Sequence, residues 1–211
     1  MSETTTPSPA VSATTLGLAA FSLNLFIIAF SFTGRFPPAL VPLFLASGIA
    51  FGLVEMWVGT HEFRIGSGFT GLVFGSFGAF WVATSLLFLL VNARLLNFGA
   101  SFQQAMGLYF LAWTVLTLYL WAGSAYANMI AFIVFTVLMA ALVLFDLWGF
   151  GVAPVQPGAW VGVTDAILAF YMSAALLLND MAGRTVLPIG PSVVSLTRTR
   201  GAVPATPVTS S

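Results

Sequence analysis

Residues 127–148 read ANMIAFIVFTVLMAALVLFDLW, twenty-two residues with one charge, Asp146, close to the end. As a helix this stretch rises about 33 Å at ~1.5 Å per residue, enough to cross a hydrocarbon core about 30 Å thick. A core strand or soluble helix has no use for so long an apolar run. The decisive point is that the chain repeats it.

Comparable runs occupy residues 16–33, 39–58, 71–92, 103–122 and 159–178. Breakers separate them: Gly34-Arg35-Phe36-Pro37-Pro38 after the first, and residues 149–158, with Pro154 and Pro157, between fifth and sixth. His61-Glu62-Phe63-Arg64 reads as the second loop, with His61 solvated, and residues 123–126 are the weakly marked fourth connection. The fold class is therefore an all-α integral membrane protein, a bundle of six transmembrane helices. Its domain runs over residues 16–190. Residues 1–15, rich in Ser, Thr and Pro without the basic start of a signal peptide, and 191–211 read as disordered tails.

Composition agrees. Of 211 residues, 59% are hydrophobic and 6% charged, against about 25% charged in a soluble domain. Six Arg and no Lys balance six acidic residues, leaving no basic surface for nucleic acid. Cysteine is absent and His61 is the only histidine, so thiol chemistry, disulfides and a metal or cofactor site have almost nothing to draw on. With the amino terminus inside, cytoplasmic segments carry Arg64, Arg184, Arg198 and Arg200 against Arg35 and Arg94 outside, which favours both termini cytoplasmic. Trp57, Trp121, Trp148 and Trp160 lie near span ends, whereas packing fits Trp81 and Trp113 better.

Small residues four apart, Gly48 and Gly52, Gly71 and Gly75, Gly158 and Gly162, point to close helix contacts, chiefly within the protomer. Glu55, Asp146 and Asp165 are acidic groups inside or at the ends of spans. An ionised carboxylate near the bilayer centre costs at least ~2.5 to 3.5 kcal/mol, so such a group faces a cavity, finds a partner or stays neutral. Asp146 can reach water. Glu55 and Asp165 are candidates for proton exchange. Neutral polar groups in the spans include Ser22, Asn24, Ser31, Ser76, Thr84, Ser85, Tyr109, Thr114, Thr117, Tyr119, Thr136, Thr164, Tyr171 and Ser173. Many will bond to their own helix, but Tyr109, Trp113 and Thr117 lie four apart on one face of the fourth span.

Gly183 to Gly190, GRTVLPIG, closely resembles the carboxy-terminal signature of the acetate uptake transporter family, which includes succinate-acetate permeases and yeast ammonia/acetate relatives. Leu16-Gly17-Leu18 with Phe21 resembles its amino-terminal LGLxxF, and Gly78-Ala79-Phe80-Trp81 its GSFW. Gly107-Leu108-Tyr109 with Trp113 and Thr117, then Trp160 with Gly162 and Tyr171, resemble its fourth and sixth helices. The resemblance spans residues 12–190. It departs at Ser12-Ala13-Thr14-Thr15, where the family has NPxP, at Glu55 for a Gln, and at Leu176 for a Glu.

The resemblance implies a permease or channel for acetate and similar small monocarboxylates, in the plasma membrane, assembled as a homohexamer with one path per protomer. It also implies a hydrophobic constriction at Phe21, Phe77 and Phe135, an all-Phe version of the family's ring. These three lie five to eight residues into odd-numbered spans and so reach similar depths. Candidate path donors are Asn24, Ser76, Tyr109, Trp113, Thr117, Thr136 and Tyr171, with Glu55 and Asp165 for proton coupling. The alternative is a channel for neutral solutes such as ammonia, water or acetic acid.

Overall fold

The computed structural model describes residues 11–201. Its six long helices are α1 (Ala13–Phe32), α2 (Val41–Arg64), α3 (Gly68–Asn92), α4 (Phe102–Ser124), α5 (Met129–Gly149) and α6 (Gln156–Ala182), followed by short α7 (Val193–Gly201). All six long helices are long and apolar enough to cross a membrane. Pro42 and Pro157 stand in the first turns of α2 and α6, where a missing N–H breaks no helical bond. Asn128 caps α5, its side-chain oxygen accepting from the Ala131 amide at 2.9 Å.

Three boundaries differ from the sequence reading. His61-Glu62-Phe63-Arg64 is not a loop but the last turn of α2; His61 stacks on Trp57 at 6.0 Å, and the Phe63 ring lies where a Cβ on Gly71 would sit. Helix α1 begins at Ala13 rather than after residue 15. The expected carboxy-terminal tail contains helix α7, whose Val194 amide bonds to the Ala125 carbonyl at 3.3 Å; residues 1–10 and 202–211 of the two expected tails lie outside the described residues.

The helices neighbour one another in the ring order α3, α2, α1, α6, α5, α4. In lipid, close backbone approach substitutes for hydrophobic drive, and α2 meets α3 this way: a Cβ on Gly52 would lie 2.8 Å from the Gly78 carbonyl oxygen, and one on Gly78 would lie 2.6 Å from that of Gly52. Gly107 and Gly149 bring α4 and α5 together in the same manner. The three glycine pairs picked out in the sequence all have neighbours within the chain. Where α3 faces α4 the backbones stay apart and side chains close the ring. Phe80 stands there, with Trp81 and Trp113 each at 4.9 Å and Tyr109 at 5.9 Å.

The GRTVLPIG segment fastens one end of the bundle. Gly183 ends α6 in the left-handed conformation (φ 59°), which a residue without Cβ adopts freely. Asn179 donates to the Leu187 carbonyl at 2.8 Å and accepts from the Val186 and Leu187 amides. Tyr171 then donates to the Pro188 carbonyl at 2.8 Å, and the Ile189 carbonyl receives the Ile130 amide at 3.1 Å. The segment thus ties α6 to the first turn of α5.

Candidate functional site

Helices α1, α3 and α5 start on the same face of the bundle, here called the amino-terminal face, and end on the opposite one. Counted from the observed helix starts, Phe21, Phe77 and Phe135 lie eight, nine and six residues in, or about 9 to 14 Å of rise. All three are buried, at 5%, 2% and 7% exposure. The Phe21 and Phe77 rings meet edge to face at 5.7 Å, and Phe135 belongs to the same apolar cluster with its ring 6.1 Å from Phe69.

A cavity lies on each side of this cluster. One, about 50 Å³, is walled by α1, α3, α4 and α5, with Leu25, Phe77, Phe80, Phe110, Leu138 and Phe145 among its residues. Its polar side chains are Thr84, whose hydroxyl is 2.8 Å from that of Tyr109, and Trp81. The other, about 230 Å³, lies toward the amino-terminal face and is lined by Phe69, Val73, Val134, Phe135 and Met172, with Ser12, Thr14, Thr70 and Asn128 as its polar groups. The two share no wall residue: Phe77 belongs to the first, Phe135 to the second, and Phe21 packs between helices beside them.

The sequence-derived path donors are distributed differently. Asn24 is fully buried between α1 and α2; with its amide assigned in the orientation that satisfies both ends, the nitrogen donates to the Ser47 carbonyl at 3.0 Å and the oxygen accepts from the Gly52 amide at 3.1 Å. Ser76 bonds to the Leu72 carbonyl of its own helix at 2.6 Å. Thr136 faces outward and accepts the Trp121 indole N–H at 2.8 Å. Tyr171 serves the GRTVLPIG segment. Thr117 is buried with its hydroxyl unpartnered. Tyr109 reaches the smaller cavity through Thr84, and Trp113 packs on Phe77 at 6.1 Å. None of these seven is on either cavity wall. The hydroxyl-bearing residues that are, Ser12, Thr14, Thr70 and Thr84, carry no sequence signal beyond being serine or threonine; where they stand at the start or on the face of a helix decides the matter.

Glu55 and Asp165 are fully buried, with both carboxyl oxygens of each unpartnered. Asn24 and Trp81 are the polar neighbours of Glu55, and Trp81 in turn lines the smaller cavity. Asp146, expected to reach water, is instead buried at 8% exposure and accepts from the Thr114 hydroxyl at 2.8 Å. Among the described residues no three His, Asp or Glu side chains converge as a metal site would require.

This arrangement has known counterparts. The succinate-acetate/proton symporter SatP of Escherichia coli strain K12 is 33% identical over 181 residues, covering 84% of this chain and 94% of that protein. Acetate permease A of Emericella nidulans is 25% identical over 193 residues, covering 82% of this chain and 64% of that protein. The solved structure of the bacterial acetate channel SatP matches with a TM-score of 0.76 at 29% identity, over 86% of this chain and 99% of that one. Residues 3–191 match the GPR1/FUN34/yaaH family. A six-helix membrane bundle with buried phenylalanines between a wide cavity and a narrow one, related in sequence along almost its whole length to these proteins, is a member of the GPR1/FUN34/yaaH family.

Proposed function

We propose that the chain is a permease for acetate and similarly small monocarboxylates, with Phe21, Phe77 and Phe135 as its constriction. The observation that carries this reading is the pair of cavities on either side of the level of those rings, in a chain similar over 86% of its length to an acetate channel. Acetate, a carboxylic acid like Asp or Glu, is almost wholly anionic at pH 7 and crosses lipid poorly. A path must replace its water. The polar rim of the larger cavity offers donors to the carboxylate, and the apolar cavity beyond the rings accepts the methyl end. A hydrophobic narrowing opposes larger or more highly charged solutes because they must shed more water there. Succinate, with two carboxylates, is disfavoured.

Both termini are cytoplasmic in this reading, which makes the amino-terminal face, with Arg64 and Arg184, the inner one. The chain sits in the plasma membrane and assembles as a homohexamer, each protomer keeping its own path through lipid-embedded helices. Glu55 couples flux to protons through Trp81, the side chain it shares with the smaller cavity wall, and Asp165 is the second candidate for that role. Transport rather than chemistry on the solute is the activity.

The apolar lining of the smaller cavity favours a second reading, passage of neutral acetic acid or ammonia. Proteoliposomes holding only this protein separate the two. Saturable uptake of labelled acetate accompanied by a voltage-dependent acetate current supports the uncoupled anion path. Uptake without current is given both by the anion moving with one proton and by the neutral acid, and Glu55→Gln tells these apart because only the coupled path loses its response to an imposed pH gradient. No uptake above empty liposomes removes all three.

A further inference from the structure

Glu62 is the acidic residue that the six-span reading leaves in a loop, yet it is only 3% exposed. It stands in the last turn of α2 and accepts two hydroxyls: Thr14, from the start of α1, donates to Oε1 at 2.9 Å, and Thr70, from the first turn of α3, donates to Oε2 at 2.7 Å. Thr70 has a second acceptor, the Ser67 carbonyl, at the longer 3.1 Å. Thr14 and Thr70 both line the larger cavity, whereas Glu62 does not.

We propose that Thr14 and Thr70 form a two-hydroxyl seat for a carboxylate at the mouth of the larger cavity, and that the Glu62 carboxylate is its built-in occupant. The seat deepens the acetate reading and rests on it for the identity of the incoming ligand. The chemistry is already on display: two O–H donors, one to each carboxylate oxygen, the Thr70 bond at 2.7 Å being as short as a charge-assisted pair and the Thr14 bond an ordinary 2.9 Å. A substrate monocarboxylate presents the same two oxygens. A threonine hydroxyl changes direction by moving between staggered wells of one torsion, which carries each donor from Glu62 to the cavity its side chain already borders. Because Glu62 is tethered, its effective concentration at the seat is high. A free carboxylate therefore binds with an apparent affinity reduced by the fraction of time the seat is open. The mouth of the path is thus held weak for its own substrate, which favours release over retention.

The test measures acetate binding to the purified full chain by saturation-transfer NMR, alongside uptake into proteoliposomes. In Glu62→Gln the amide can accept only one hydroxyl and frees the other, so the acetate dissociation constant falls at least threefold. Adding Thr70→Val returns it to the parent value or weaker. Binding of acetamide, the neutral isostere, stays at the parent value throughout. A folded Glu62→Gln chain that binds acetate no tighter overturns the seat, as does a parent with no measurable acetate binding. Binding with no uptake leaves the seat standing and overturns the transport reading instead. Should Glu62→Gln fail to fold, Thr70→Val and Thr70→Ser decide in the parent background. Weaker acetate binding with valine and parent binding with serine support the seat; equal values for the two sink it.

Discussion

The two cavities flanking Phe21, Phe77 and Phe135 differ in size and in lining. The one nearer the amino-terminal face holds about 230 Å³ and carries Ser12, Thr14, Thr70 and Asn128 on its wall. The one beyond the rings holds about 50 Å³ and is walled by Leu25, Phe80, Phe110, Leu138 and Phe145, with the Thr84 hydroxyl turned to Tyr109 behind the wall. A hydrated anion can keep some of its shell in the first and must surrender it in the second. On the proposed acetate path, recognition would belong to the wide half and resistance to the narrow one, with the rings marking the change.

Removing the division should have the largest effect. Phe77 is the most buried of the three rings, meets Phe21 directly and forms the floor of the narrow cavity. Phe77→Ala deletes that floor and merges the two spaces, so acetate influx into proteoliposomes rises at least tenfold or the exclusion of longer carboxylates such as butyrate is lost. The same change costs stability, since emptying a packed aromatic site costs about 3 to 5 kcal/mol, and the detergent-solubilised chain melts at lower temperature. Unchanged flux together with unchanged size selection would show that the resistance lies elsewhere.

A smaller effect, on the shape of a curve rather than its height, is expected at Glu55. This side chain lies on neither wall but beside Trp81, which does face the narrow cavity. Gln has the same size and cannot exchange a proton. Glu55→Gln therefore flattens the dependence of acetate uptake on an imposed pH gradient while leaving uptake without a gradient within about twofold, a factor worth less than 1 kcal/mol. Superimposable gradient curves for variant and parent would make Glu55 a structural residue of the α1–α2–α3 contact.

The spans were legible because a membrane helix announces itself by length and composition, and residues 127–148 did so without any contextual help. The ends were not. His61 to Arg64 is polar enough to read as a loop, yet it continues α2 because Thr14 and Thr70 satisfy Glu62 and Phe63 packs over Gly71. Helix α7 was hidden by a Ser- and Thr-rich composition that favours disorder on average. At the site, twenty-one phenylalanines leave no three of them distinctive by composition; only the family resemblance singled out Phe21, Phe77 and Phe135. The hydroxyls were the least legible, because a turn of 100° about a helix separates a cavity wall from the bundle exterior and no composition records it.

Thr84 and Thr136 make that last point testable, and here the expected effects are smallest. Both are threonines in mid-helix with an aromatic partner: Thr84 pairs with the Tyr109 hydroxyl at 2.8 Å, and Thr136 accepts the Trp121 indole N–H at 2.8 Å. Thr84 is buried on the narrow cavity wall, whereas Thr136 is exposed on the outside of the bundle. Valine is nearly isosteric with threonine and removes only the hydroxyl. In Thr84→Val the bond that fixes Tyr109 behind the narrow cavity wall is lost, which at about 1 kcal/mol for a hydrogen bond lowers the acetate uptake rate by about fivefold. Thr136→Val breaks a bond of similar length but on the wrong side of the helix; its cost is about 0.6 kcal/mol of stability, typical of a polar contact between membrane helices, with uptake unchanged. Equal losses of uptake in the two variants would mean that helix cohesion, not the lining of the narrow cavity, sets the rate.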